Sequence, residues 1–146
     1  MCVAPPDAGL LLANIVLQAD GRVRFIDLEY GAANFAAFDI ANHFVEFVGC
    51  SGRLDYRRWL PGRAWRLGWC REYLAAREGR RVAEGEVEAL QARVEAFVPA
   101  AHLLWAAWAA VQASNSSIAF DFPNYSLQRL REYRRWRRAA GLPARL

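Results

Sequence analysis

Phe25-Ile26-Asp27-Leu28-Glu29-Tyr30, followed after a short loop by Phe38-Asp39-Ile40-Ala41-Asn42-His43-Phe44-Val45-Glu46-Phe47, is the stretch on which the reading of this chain turns. Its first part ends a strand. Upstream, Asn14-Ile15-Val16-Leu17-Gln18 is a second short strand, and Asp20-Gly21 between them is a hairpin turn, because both positions tolerate positive φ. Gly31 to Ala37 reads as a loop. Residues 39–48 then read as an amphipathic helix, with Ile40, Phe44, Phe47 and Val48 on one stripe and Asp39, Asn42, His43 and Glu46 on another. Two acids at the end of a strand, beside an acidic helix face, suit a magnesium–phosphate site next to a small cationic substrate.

Working outward, the rest of the chain is helical. Residues 51–59 read as irregular. Arg63 to Arg77 carries Trp65, Trp69, Tyr73 and Leu74 at helical spacing before Gly79. Glu84 to Val98 is an acidic helix with Val87, Leu90, Val94 and Phe97 inward, and Pro99 is expected to start or kink another helix reaching about Ala113. A connector over 114–123 leads to a basic helix from Tyr125 to Ala140. There is no internal repeat, so 146 residues make one domain, or one lobe of a larger one, with enough apolar side chains for a real core.

Charge and cysteine usage narrow the classes. All 19 basic residues are arginine, so neither a phosphate-loop lysine nor a nucleotide-binding strand lysine can come from this chain. Arg129, Arg131, Arg134, Arg135, Arg137 and Arg138 crowd the C-terminal helix around Tyr133 and Trp136. Such a face could meet anionic lipid or RNA, but a solvated surface is the preferred reading, and no nucleic acid is expected as partner. Cys2, Cys50 and Cys70 have no metal-ligand spacing and are odd in number, which points to a reducing, cytoplasmic setting. Residues 1–6 have no secretory pattern. The apolar window 97–113 is broken by Pro99, His102 and Gln112 and is read as a buried helix, without integral membrane contact.

Three constellations carry chemistry. A carboxylate at a strand end and a nearby carboxamide can hold Mg²⁺ against phosphates, and Asp27 and Asn14 are so placed. The Asp39/Asn42/His43/Glu46 stripe could be imagined as a metal site, but no further His or Cys is suitably disposed. It is read instead as a polar face that hydrogen-bonds neighbouring loops. Trp105 and Trp108, at i and i+3, share a face flanked by alanines; tryptophans there are usually core, yet each ring face attracts an ammonium by about 0.5–2 kcal/mol.

The words of the opening stretch, with Asn34-Phe35 between them, closely resemble the first signature of the choline/ethanolamine kinases. His102-Leu103-Leu104-Trp105-Ala106-Ala107-Trp108, Gln112-Ala113, Ser116-Ser117-Ile118-Ala119-Phe120 and Tyr125 resemble the second. The resemblance implies an α+β, predominantly helical fold, the C-terminal lobe of a protein-kinase-like fold with one short β-hairpin. It implies ATP as co-substrate and Mg²⁺ held by Asp27 and Asn14, with Glu29 serving a second ion or its water shell. It implies an aromatic substrate pocket at Tyr30, Trp105, Trp108, Phe120 and Tyr125, with Glu46 attracting the ammonium. The Glu46-Phe47-Val48-Gly49 continuation is more similar to the ethanolamine than to the choline branch, so ethanolamine is the expected substrate and choline the alternative.

One part of the pattern departs from the family. Aligning the family's H-N-D-L-L-x-x-N-I loop on Leu10-Leu11 and Asn14-Ile15 puts Gly9 where the catalytic-base aspartate belongs, with Ala8 and Asp7 before it. Residues 1–9 are therefore read as a divergent stub, 10–138 as the kinase-like lobe and 139–146 as a tail. An N-lobe is expected to be missing, as in an alternative start, a spliced product or an incomplete gene model. This short chain is expected to be inactive alone, the competing reading being a non-catalytic lobe that forms a homo-oligomer or pairs with a full-length kinase.

Overall fold

Residues 3–4, 14–27, 33–49 and 54–141 are described in a computed structural model. Strands β1 (Val3–Ala4), β2 (Ile15–Leu17), β3 (Val23–Phe25) and β4 (Asn34–Phe35) make two small antiparallel pairs. Helices α1 (Ala36–Glu46), α2 (Tyr56–Trp59), α3 (Arg63–Glu78), α4 (Glu84–Asn115) and α5 (Phe122–Ala139) carry the mass. The fold is α+β and predominantly helical.

The β2–β3 hairpin pairs Ile15 with Phe25, Val16 with Arg24 and Leu17 with Val23. Its turn differs from the expectation. Gln18 N–H donates to Arg22 O at 2.8 Å and Gly21 N–H to Gln18 O at 2.9 Å, a three-residue loop in which Gly21, at φ +81°, takes the left-handed position. The Asp20 side chain instead accepts from the Arg22 backbone N–H and from Arg22 Nε, at 3.0 and 2.8 Å. The second pair, β1 with β4, joins Val3 to Phe35 and Ala4 to Asn34, where the sequence suggests a stub and a loop. Two-residue strands show no alternation that a sequence pattern can register.

Helix α1 begins at Ala36, earlier than Asp39, because Ala36 and Ala37 are strong helix formers. Asp39 then lies in the first turn, where the helix N-terminal partial charge favours a carboxylate. The expected amphipathic character is also revised. Ile40, Phe44 and Val48 are buried, but so are Asp39, Asn42 and His43 on the other stripe. The helix is enclosed on both sides, and its polar stripe meets protein groups instead of water.

The segment read as irregular contains α2, started by Asp55, whose side chain accepts from Arg58 N–H. Helix α3 ends on Gly79 in the left-handed conformation, φ 62°. Pro99 does not start a new helix: α4 is a single helix of 32 residues with Pro99 inside it. A proline removes one i→i−4 bond, and here the tertiary burial of Val98, Pro99, Ala101 and His102 on both sides of it carries the helix through. By length and composition α4 could cross a membrane, yet the buried faces of its two halves pack on α1, α3 and α5.

Two cores share α4. The larger joins Phe38, Ile40, Ala41, Phe44 and Val45 of α1, Cys70 and Leu74 of α3, and Val87, Leu90, Val94, Val98 and Ala101 of α4, roofed by Trp69, Tyr73 and Phe97. Burial pushes the Cys70 thiol up to about 11, so it acts as a small apolar side chain; Cys2 and Cys50 lie outside the described residues. The smaller core joins Ala109, Phe122 and Tyr125 with the half-buried Leu54, Trp105, Trp108 and Phe120.

Candidate active site

At the open end of the hairpin, Ile26 N–H donates to Asn14 O at 3.0 Å, which fixes Asn14 opposite the residue preceding Asp27. Asp27 is exposed and sits at φ 61°. Among the described residues it is the one non-glycine at positive φ, a conformation that aspartate tolerates better than most side chains but still at a cost. The hairpin thus carries an exposed aspartate just past β3 and an asparagine just before β2, residue types whose hard oxygen donors suit Mg²⁺. Glu29, Tyr30, Gly9 and Asp7 lie outside the described residues.

The aromatic residues singled out in the sequence come together. The Trp105 and Trp108 rings meet edge to face at 5.4 Å, Phe120 lies 5.5 Å from Tyr125, and Phe122 bridges the two pairs, 5.7 Å from Trp108 and 4.8 Å from Phe120. The i, i+3 spacing puts both tryptophans on one side of α4. Asp121 caps α5 by accepting from Asn124 N–H, and its start delivers Phe122 and Tyr125 to the same place. Trp105, Trp108 and Phe120 are half-buried and offer ring surface, whereas Tyr125 stands behind them at 4 % exposure. Trp105 is tied to α1 by its indole Nε1, which donates to Asn42 Oδ1 at 2.6 Å.

Glu46 takes a place that its position on a polar stripe does not suggest. Its side chain is 4 % exposed and accepts from Arg129 Nη2 at 2.9 Å; the Arg129 side chain is wholly buried. Burial pushes the Glu46 carboxyl above the usual carboxylate range, and the Arg129 guanidinium pulls it back. Arg129 also donates from Nε to the Tyr125 hydroxyl at 2.9 Å, and its guanidinium carbon lies 5.0 Å from the Tyr125 ring centroid. Its third contact is Nη1 to His102 Nδ1 at 3.4 Å. Because a guanidinium nitrogen only donates, Nδ1 is the bare nitrogen of His102, and Nε2–H donates to the Tyr56 hydroxyl at 3.1 Å. Burial, then the nearby Arg129 and Arg135 charges, push the His102 imidazole down to about 2, so it stays neutral.

A family model described as choline/ethanolamine kinase matches residues 8–134. The chain belongs to the choline/ethanolamine kinase family. It is 46 % identical to ethanolamine kinase 2 of Rattus norvegicus, a match covering 85 % of this chain and 32 % of the relative. It is 42 % identical to human ethanolamine kinase 1, covering 85 % of this chain and 28 % of that one. Among solved structures, a Plasmodium vivax ethanolamine kinase superposes with a TM-score of 0.79 at 29 % identity, over 90 % of this chain and 34 % of the other. This member of the family thus spans about a third of the length of the curated relatives it matches, and its fold is that of a protein-kinase-like C-terminal lobe.

Within this kinase-family lobe, the sequence reading missed Arg129, His102 and Tyr56 as partners in one network. Arg129 was counted with a solvated basic face, though its i+3 and i+4 spacing from Ser126 and Tyr125 places it on the inward face of α5. The contact to Glu46 spans 83 residues and has no local signature. A cavity of about 510 Å³ elsewhere, bordered by Arg71 and Arg81 at the start of α4, contains none of the expected site residues.

Proposed function

We propose that this chain carries the substrate- and metal-binding lobe of an ethanolamine kinase-like phosphotransferase, acting in the cytoplasm toward phosphoethanolamine. The observation that carries the proposal is the convergence of Trp105 and Trp108 from α4, Phe120 from the connector and Tyr125 from α5 into one cluster, in which the first three rings are half-open. Such faces attract an ammonium while leaving its hydroxyl arm free to point elsewhere. Relatives similar over most of this chain are named ethanolamine kinases, which favours ethanolamine over choline.

In this reading Asp27 and Asn14 hold Mg²⁺, with Glu29 as a further ligand or a partner of its water shell. The ion, when bound with ATP, neutralises phosphate charge. Trp105, Trp108 and Phe120 take the ammonium, with Tyr125 behind them and Tyr30 from the hairpin side. Glu46 keeps a part in a changed form: its charge is spent on Arg129, so it supports the pocket wall. At the family's base position stands Gly9, which cannot accept a proton or orient a hydroxyl. That residue favours a second reading, in which the chain binds substrate without turning it over, alone, as a homo-oligomer or beside an intact kinase.

Calorimetry of the 146-residue chain with ethanolamine and with choline tests the pocket. Ethanolamine should bind more tightly than choline, and Trp108→Ala should weaken it by about 2–30-fold, the worth of one cation–π contact. Equal, Trp108-independent heats for both amines would refute the proposal. Phosphoethanolamine formation lost in Asp27→Ala would instead overturn the second reading.

A further inference from the structure

Arg129 is wholly buried on α5 and makes three directed contacts, two with other helices and one within its own. Nη2 reaches Glu46 at the end of α1, Nη1 reaches His102 in α4, and Nε reaches the hydroxyl of Tyr125 one turn back on α5. A buried ion pair is a poor device for stability, since apolar side chains of similar volume do as well or better. This pair also brings a third element, a specific hydrogen bond to the hydroxyl of a tyrosine in the candidate pocket. Tyr125 is fixed at both ends: Phe120 meets its ring at 5.5 Å and 69°, and Arg129 holds its hydroxyl while lying 5.0 Å from its ring centroid.

We propose that Arg129 is a positioning residue of the ammonium pocket, holding the Tyr125 ring as a fixed back wall for Phe120 and the two tryptophans. The inference rests on the pocket reading above and extends it to a residue that lies behind the rings. Glu46 and His102 serve Arg129 in turn. The carboxylate neutralises the guanidinium, and the bare Nδ1 of His102 accepts from it, so the planar fork has one orientation and Nε is aimed at Tyr125. With one side of the Tyr125 ring given to a cation of the protein, a ligand cation is directed to the rings in front.

Lysine discriminates positioning from plain charge balance. Arg129→Lys keeps a cation for Glu46 but has a single ammonium and no separate Nε donor for Tyr125. A role in charge alone predicts that lysine substitutes with Tyr125 unaffected. Positioning predicts that the chain still melts cooperatively, that ring flipping of ¹³C-labelled Tyr125 accelerates in NMR spectra, and that ethanolamine affinity falls about tenfold. If the lysine chain does not fold, Arg129→Met with Glu46→Leu removes both charges in an apolar replacement of the kind that preserves folds. The same faster Tyr125 flipping is expected there. An unchanged Tyr125 signal in either folded variant would overturn the proposal. A wild-type chain that binds neither ethanolamine nor choline would sink the pocket itself, and that failure is recognisable because the Tyr125 signal would still respond to Arg129→Lys.

Discussion

The two cores along α4 are built from different materials. The α1/α3/α4 core is closed and mostly aliphatic: Val87, Leu90, Val94, Ala41, Val45 and Phe44 are each at most 2 % exposed. The α4/α5 core is aromatic, left half-open at Trp105, Trp108 and Phe120, and backed by a charged pair and a neutral histidine. Aliphatic packing gains the most by excluding everything, because each buried methylene adds about 0.8 kcal/mol and offers nothing to a ligand. Ring faces that stay partly open give up some of that gain and keep an attraction for cations. The difference separates a part of the lobe that is closed on all sides from a part that leaves ring faces open.

Truncation should expose this contrast most strongly. Phe44→Ala, in the closed core, is expected to cost about 3–5 kcal/mol in urea unfolding, the range for a buried phenylalanine. A loss below about 1 kcal/mol would show that the core is looser than its burial indicates.

Acid should act mainly on the other core. His102 faces Tyr56 of α2 and Arg129 and Arg135 of α5, with Glu46 behind Arg129, and stays neutral when folded down to about pH 2. The unfolded imidazole takes up a proton below about pH 6.5, and the folded one does not. Stability should therefore fall by about 1.4 kcal/mol per pH unit below 6.5, or about 2 kcal/mol by pH 5. His102→Gln, whose amide can both accept from Arg129 and donate to Tyr56, should remove that slope. An identical slope in the two chains between pH 6.5 and 5 would place the proton uptake elsewhere.

Smaller effects refine the comparison. Trp108→Ala should cost about 1–2 kcal/mol of stability, less than Phe44→Ala despite the larger ring, because the indole is half-open. Its ligand affinity should suffer more than its fold, and the reverse pattern would count against a binding role. Trp105→Phe keeps a ring and removes the indole donor to Asn42, the link between the two cores; a change of about 1 kcal/mol is expected in thermal unfolding.

Much of this was legible in the sequence because it is local. Helical spacing revealed Val87, Leu90 and Val94 as inward-facing, and the i, i+3 tryptophans as neighbours. The hairpin was legible from Asp20-Gly21, although its loop is one residue longer than a tight turn. The Glu46–Arg129 pair was not, because its partners are 83 residues apart and an arginine in an arginine-rich helix carries no mark of burial. Asn42 and Glu46 lie on a stripe whose hydrogen-bonding role was legible, but their partners, Trp105 and Arg129, come from helices that arrive later in the chain. Gly9, Glu29 and Tyr30 lie outside the described residues, so their roles rest on the family pattern alone.

Pro99 adds one more consequence. With no amide at this position, the Glu95 carbonyl gets no bond from the residue four places on, and the ladder of α4 loses one rung inside the stretch that the aliphatic core covers, ahead of the tryptophans. Mechanically the longest rod among the described residues is two springs in series with a softer joint between them. A tilt of the stretch that carries Trp105 and Trp108 is thus passed to Leu90 and Val94 with one backbone bond fewer than an unbroken ladder would provide.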